Sequence, residues 1–172
     1  MEYEGNIDLC TYKKSEYGMC PEAGTPAFRQ RFFLRIKEWE LESMKALVKQ
    51  LELHMEEVYK LRFFYSFQIP KLGKEFDLLQ IKDDQIVNIE LKSGIVSDEA
   101  IRRQLIQNRY YLSVFGKPIL SYTYISSEDH LVRLTNHDHI VRGTGNSYVL
   151  HWGKKARTMR EISRICFRQS FI

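Results

Sequence analysis

Residues 76–92 read FDLLQIKDDQIVNIELK, and two largely apolar runs flank the polar KDDQ segment in the middle. Short runs rich in Ile, Leu and Val on either side of a polar turn are typical of two adjacent antiparallel strands. The stretch therefore predicts strands at 76–81 and 86–92, joined as a hairpin across residues 82–85.

A symmetric turn fixes the register of this hairpin, because residues equally far from the turn then lie opposite each other. Counting outward places Asp77 opposite Glu90. It also places Glu75 opposite Lys92, on the same face of the hairpin. The other face is predicted to be apolar, with residues Phe76, Leu78, Val87, Ile89 and Leu91.

Two carboxylates face each other in this register. Opposed carboxylates with Cβ atoms about 5 Å apart destabilise a sheet unless a shared proton, a cationic side chain or a divalent cation neutralises them. Mg²⁺ or Mn²⁺ suits such oxygen ligands, and Lys92, two residues beyond Glu90, would then contact a water on the metal. The alternative interpretation is a solvated strand face, with Glu75 and Lys92 forming an ordinary surface ion pair.

A helix is the strongest local prediction upstream of the hairpin. Residues 27–68 contain neither Gly nor Pro. Apolar residues recur there at helical spacing: Met44, Leu47, Val48, Leu51, Met55 and Val58. The pattern predicts a helix of about 20 residues or more. It leaves open whether the helix begins near Phe28 or restarts after Ser43, which would then be its N-cap.

The remaining elements complete a mixed α/β pattern. Ser97 and the two acids after it predict the start of a second helix, which ends near Phe115 because Gly116 and Pro118 follow. Further strands are predicted at 63–69, 119–125, 131–134, 139–142 and 148–152, and a final helix at 154–168. The order helix, three-stranded meander, helix, strand predicts an α/β fold with a C-terminal strand and helix appendage.

Length and composition indicate one soluble domain. The chain has 172 residues and 44% hydrophobic residues, enough for a single core, with an irregular arm predicted at 1–27 and the appendage at 127–172. No run of about 18 apolar residues is present, which predicts no membrane span. The three cysteines form no CxxC pair, which favours a cytoplasmic location over a disulfide framework. The net charge of +4 permits nucleic acid as a partner without demanding it.

The hairpin and its surroundings resemble the PD-(D/E)xK nuclease superfamily. Asp77, followed after 12 residues by Glu90-Leu91-Lys92, is similar to its D…ExK motif, and the element order over residues 40–126 is similar to its restriction-endonuclease-like core. The resemblance implies that Asp77 and Glu90 bind Mg²⁺, which Mn²⁺ would replace, with the Leu91 carbonyl as a further ligand. It also implies that Lys92 orients or activates the attacking water.

Two departures from the family pattern concern the neighbouring residues. Phe76 stands where the family has a proline before its aspartate. Many members also supply a glutamate from the first helix. Glu52, Glu56 and Glu57 are the candidates, and the sequence does not choose among them.

The second predicted helix carries a polar stripe on one face. Its members are Arg103, Gln104, Gln107, Asn108 and Tyr111. The segment from Gln107 to Tyr111 resembles the QxxxY element of RecB-like nucleases, which implies that Gln104, Gln107 and Tyr111 contact the nucleic-acid backbone. The alternative is a solvated helix face with amphipathic tyrosines.

The final predicted helix carries Arg157, Arg160 and Arg164 at helical spacing. Like charges on one helix repel each other, so this stripe predicts contact with phosphate groups. A solvated face and an amphipathic membrane contact are the alternatives. Residues 137–139, HDH, are predicted to form a polar turn rather than a metal site, since further ligands at suitable spacing are missing.

These features together predict a metal-dependent nuclease that hydrolyses phosphodiester bonds, in DNA in preference to RNA. One alternative is a catalytically inactive nucleic-acid-binding module of the same fold. Another is a protein-interaction domain of a defence or mobile-element system. The resemblance also implies either a homodimer or an association with an ATPase or helicase partner.

Overall fold

A mixed β-sheet whose strands lie side by side in chain order is the centre of the fold. The computed structural model describes residues 6–8, 37–54, 61–69 and 73–143. The described helices and strands are β1 (Asn6–Asp8), α1 (Glu38–Glu52), β2 (Arg62–Ile69), β3 (Lys74–Ile81), β4 (Ile86–Lys92), α2 (Asp98–Leu112), β5 (Ile119–Ile125), β6 (His130–Leu134) and β7 (Ile140–Gly143).

Neighbouring strands of the sheet are antiparallel, except that β4 and β5 are parallel. A parallel pair needs a crossover connection, and α2 supplies it. The helices cover opposite faces: α1 packs with Leu78 and Ile89, whereas Leu105 of α2 packs with Ile125. The predicted α/β class is confirmed, and so is the order helix, three strands, helix, strand.

Helix α1 forms because its apolar stripe is buried against the sheet. Met44, Leu47 and Leu51 are all buried in the cluster beneath it. Of the two starting points that the sequence leaves open, the restart after Ser43 does not occur: the helix begins at Glu38 and continues through Ser43, whose hydroxyl lies 3.0 Å from that of Ser126. The predicted start near residue 28, and residues 55 and 58 of the stripe, lie outside the described residues.

The predicted hairpin register is confirmed in the paired part of β3 and β4. Leu78 lies opposite Ile89, and Ile81 lies opposite Ile86. The pairing ends at Leu78 and Ile89, so Asp77 on β3 is the next residue beyond the paired segment.

The predicted apolar face is wrong for Phe76. Its four expected partners are buried beneath α1: Leu78, Val87, Ile89 and Leu91. Phe76 instead lies in a second cluster with Leu79, Leu112 and Phe115. Phe76 and Leu78 are two residues apart and would share a face in a regular strand, but they lie on opposite sides of the sheet. The alternation of side chains along β3 is therefore interrupted between them.

Ser66 is the physical reason for this change of face. It has a φ of 52°, in the left-handed region that residues other than glycine rarely adopt. Strands β2 and β3 pair in the same register before and after Ser66, but Ser66 and Asp77 themselves are left out of the pairing. Phe64 and Phe67 therefore share one face, with ring centroids 6.0 Å apart. One residue left out of the regular extended pattern of a strand moves the side chains beyond it to the opposite face.

Helix α2 begins and ends as its sequence predicts. The Ser97 side chain accepts a hydrogen bond of 3.3 Å from the Ala100 N–H, and two acids occupy the first turn. A short 3₁₀ turn, Ser113–Phe115, extends the helix as far as Gly116, whose φ is 62°. Positive φ favours glycine, which explains why the helix stops at this residue.

The termini of the chain show one difference from the prediction. Part of the arm expected to be irregular forms β1, which pairs with β2. The strand predicted at 148–152 and the basic helix predicted at 154–168, with Arg157, Arg160 and Arg164, lie outside the described residues. Within the described ranges, neither helix combines the length and the apolar character needed to cross a membrane.

Candidate functional site

Asp77 lies where β3 leaves its regular pairing. Its carboxylate oxygen Oδ2 accepts a hydrogen bond of 2.8 Å from the backbone N–H of Leu91 on β4. In an extended strand the N–H and the C=O of one residue point to the same side of the strand. The Leu91 carbonyl is therefore directed to the side of β4 on which the Asp77 carboxylate lies.

Glu90 is fixed by two amide side chains of α2. It is only 2% exposed. The Gln104 Nε2 atom donates a 2.5 Å hydrogen bond to Glu90 Oε2, and the Asn108 Nδ2 atom donates a 2.7 Å hydrogen bond to Oε1. Because both donors are neutral, they orient the carboxylate without cancelling its charge.

Both carboxyl groups have raised pKa values. Burial is the main cause for Glu90, and the negative charge of Asp77 adds to it, which raises the pKa of Glu90 to about 7. Burial also raises the pKa of Asp77, although the Leu91 hydrogen bond and the charge of Lys92 oppose the shift. Two desolvated carboxylates that disfavour each other's ionisation are a site where a bound cation is stabilising.

Lys92 is half-buried at the end of β4, and two hydrogen bonds from Ser126 hold its backbone carbonyl. The Lys92 carbonyl accepts a 2.8 Å hydrogen bond from the N–H of Ser126 and a 3.2 Å bond from its hydroxyl. The Ser126 hydroxyl also contacts Ser43 of α1. These contacts connect the end of β4 to both β5 and α1.

The surface ion pair between Glu75 and Lys92, which the alternative interpretation of this strand face predicts, does not form in the described structure. The Glu75 carboxylate accepts a hydrogen bond from the Ser66 hydroxyl instead. A second lysine, Lys74, acts electrostatically on Glu90 and opposes the rise of its pKa. The Lys74 ammonium lies 5.6 Å from the centre of the Phe76 ring, and the change of face in β3 places Phe76 on the α2 side.

Glu40 is a buried carboxylate near the site that the sequence analysis missed. Its side chain accepts hydrogen bonds from the Tyr65 hydroxyl and, at 3.1 Å, from the Lys37 ammonium. Its negative charge is among the causes that raise the pKa of Asp77. Glu40 thus brings a further acidic side chain from α1 toward the site.

A sequence signal for Glu40 was available. It precedes Met44, Leu47 and Leu51 at helical spacing and so continues the buried stripe toward the start of α1. The candidate Glu52 lies at the other end of α1, about 18 Å away along the helix axis. Residues 56 and 57 lie outside the described residues.

The contact between Glu40 and Tyr65 can be tested by stability. We expect Glu40→Leu to lower the free energy of unfolding by about 1–3 kcal/mol, because the buried Tyr65 hydroxyl loses its acceptor. Adding Tyr65→Phe should recover part of that loss. Urea denaturation of the two single variants and the double variant measures the coupling, and strictly additive effects would contradict the contact.

The predicted substrate-contacting residues of α2 divide into two groups. Gln104 contacts Glu90 directly, as described above. Gln107 is exposed, and Tyr111 packs at the edge of the cluster that contains Phe76, so neither is brought to the carboxylates. Asn108, which the sequence places in the polar stripe without a predicted contact, is the second partner of Glu90.

The donor set fits a magnesium ion. In the part of the chain that the structure describes, no three His, Cys, Asp or Glu side chains come together as a metal site. Mg²⁺ does not require such a set, since one or two carboxylates usually hold it together with waters and substrate phosphates. Asp77, Glu90 and the Leu91 carbonyl supply hard oxygen ligands of that kind, and a bound cation would offset the repulsion between the two carboxylates.

Comparison of the chain with protein-family models, with curated proteins and with solved structures finds no match. The resemblance to the PD-(D/E)xK nucleases therefore stays a prediction from the residues and their spacing. The geometry around Asp77 and Glu90 is the basis for the function proposed next.

Proposed function

We propose that the protein is a metal-dependent nuclease with a restriction-endonuclease-like core. One observation carries the proposal: two carboxyl groups with raised pKa values, the half-buried Asp77 and the buried Glu90, lie beside Lys92 where β3 and β4 stop pairing. Perturbed pKa values of this kind are concentrated at functional sites. The helix, meander, helix, strand order around the site supports the same proposal.

The cofactor of the proposed reaction is Mg²⁺, with Mn²⁺ as its substitute. Asp77, Glu90 and the Leu91 carbonyl would hold the ion. When bound, such an ion lowers the pKa of a coordinated water and offsets negative charge on a phosphate.

Residues of the protein hold the two carboxylates in place and would act on the attacking water. The Leu91 N–H fixes the Asp77 carboxylate, and the amides of Gln104 and Asn108 fix that of Glu90. The Lys92 ammonium would orient the attacking water and stabilise the charge that develops on the phosphate.

The surroundings of the site favour a nucleic-acid substrate, with DNA preferred to RNA in the proposal. Lys37, Lys74 and Lys92 place cations around the carboxylates, which suits a phosphodiester backbone. Trp39, next to Glu40 in α1, is 38% exposed, and the Lys37 ammonium lies 5.7 Å from its ring centre. An exposed aromatic ring beside cations can stack a nucleobase.

A cleavage panel tests the proposal. Circular and linear DNA and RNA are incubated with the protein in the presence of Mg²⁺ or Mn²⁺, with chelator in a parallel series. We expect cleavage that depends on the metal and that falls by about 100-fold or more in Lys92→Ala, within the usual range for a general acid or base.

Lys45→Ala is the matched control, since Lys45 lies in an exposed pair with Glu42 on α1. Its activity should equal that of the wild type. Nucleic-acid binding that depends steeply on salt, without cleavage by the wild type, would favour the inactive binding module instead. Neither binding nor cleavage would overturn the proposal and favour the protein-interaction domain.

A further inference from the structure

A layer of buried polar side chains lies behind Glu90, between β4, β5 and α2. Asn88 and Glu90 project from β4 toward α2, and the parallel register places Ser121 beside Asn88 and Thr123 beside Glu90. Asn108 of α2 completes the arrangement through its bond to Glu90. Asn88, Ser121, Thr123 and Asn108 are called the polar layer below, and each is at most 1% exposed.

Several atoms of the polar layer have no partner among the described residues. They are Asn88 Nδ2, Asn88 Oδ1, Asn108 Oδ1, Ser121 Oγ and Thr123 Oγ1. A buried polar group left unpaired costs a sizeable fraction of the whole stability of a typical protein. So many unpaired groups in one place are not compatible with a stable fold.

The chemistry of these atoms matches water. The Ser121 and Thr123 hydroxyls and the Asn88 amide can donate, whereas the Asn88 and Asn108 carbonyl oxygens can only accept. A water molecule donates two hydrogen bonds and accepts two, so it can connect donors with acceptors that do not reach each other directly. Buried waters in proteins typically make about three such bonds to polar groups.

We propose that the polar layer is a binding site for internal water, and that this water positions Glu90 through Asn108. With its Oδ1 atom bonded to water, the Asn108 amide keeps its Nδ2 atom directed at Glu90. Asn88, Ser121 and Thr123 are therefore positioning residues for the carboxylate. The link to metal binding rests on the proposed function, whereas the water site itself does not.

The sign of a stability change tests the water site. Thr123→Val replaces a hydroxyl by a methyl group of similar size, and the variant is compared with the wild type by thermal denaturation without metal. If Thr123 is bonded to internal water, we expect the melting temperature to fall by about 2–4 °C. If its hydroxyl is simply unpaired, valine removes a desolvation cost, and the rise in melting temperature would overturn the proposal.

Rescue and control variants keep the result specific. Thr123→Ser restores a hydroxyl and should recover most of the lost stability, while Ser121→Ala should repeat the fall in melting temperature at the neighbouring position. A failure of either result would contradict the proposal.

Mn²⁺ affinity, measured by titration calorimetry, tests the positioning of Glu90. We expect Thr123→Val to weaken it several-fold. Thr135→Val serves as control because the Thr135 hydroxyl accepts a bond from the His139 N–H in the β6–β7 turn, and Mn²⁺ affinity should be unchanged. Equal Mn²⁺ affinity in Thr123→Val and the wild type would overturn the positioning role. If the wild type binds no Mn²⁺, the proposed function and the positioning role both fail, while the melting temperatures still decide whether water binds.

Discussion

Asp77→Asn is expected to reduce Mg²⁺-dependent cleavage by about 1,000-fold or more, equivalent to about 4 kcal/mol of transition-state stabilisation. Asparagine keeps an oxygen that can accept the bond from the Leu91 N–H, so the geometry of β3 and β4 should persist. What it removes is the negative charge that would hold the cation. Single-turnover kinetics measures the loss of cleavage. Loss of the thermal stabilisation by Mn²⁺ measures the loss of cation binding.

Asp77→Ala separates the charge from the hydrogen bond. This variant should lose cleavage to the same extent but should also melt at a lower temperature than Asp77→Asn, because the buried Leu91 amide loses its acceptor. Asp83→Asn, in the exposed turn between β3 and β4, is the matched control and should leave cleavage unchanged. Wild-type cleavage in Asp77→Asn would exclude Asp77 as a metal ligand.

Glu90→Gln is expected to abolish cleavage and, at the same time, to make the metal-free protein more stable at pH 8. The ordinary pKa of a glutamate is 4.5, and burial together with Asp77 raises that of Glu90 to about 7. As the pH rises from 4.5 to 7, the unfolded chain releases this proton before the folded chain does, so the folded state loses stability. Above pH 7 the folded state has lost the full amount of stability, on the order of 3 kcal/mol, because Glu90 is ionised while buried.

Glutamine removes the charge and hence this cost. Its amide group can be accommodated by a rotation of the Asn108 side chain, which presents Oδ1 in place of Nδ2. Melting temperatures between pH 4.5 and 8 should therefore decline less for Glu90→Gln than for the wild type, and added Mg²⁺ should stabilise the wild type alone. A variant that melts below the wild type at pH 8 would contradict the described desolvation of Glu90.

The sequence predicts those parts of the fold that depend on local pattern. The polar KDDQ turn fixes the register of β3 and β4 because the turn is symmetric, and the Ser97 cap with Gly116 defines the limits of α2. The buried stripe of α1 follows from helical spacing. In each case the decisive interaction lies within a few residues of the chain, so the local sequence is enough to predict the element.

The change of face at Ser66 could not be predicted in this way. Nothing in the residue type indicates a positive φ, and the effect is seen on Phe76, which belongs to another strand. The partners of Glu90 illustrate the same limit. The sequence predicts the polar stripe of α2, but which of its residues face β4 depends on how the helix rotates against the sheet. The sequence therefore favours Gln107, whereas the structure brings Asn108 to Glu90.

The hydrogen bond between Asp77 and Leu91 also provides a spectroscopic probe. The Leu91 amide donates to a side chain rather than to a backbone carbonyl, so its proton senses the charge state of the Asp77 carboxylate directly. In a ¹⁵N–¹H spectrum its resonance should therefore move when Asp77 gains a proton or a cation. One backbone amide of the ¹⁵N-labelled protein can thus report occupancy of the site without any substrate.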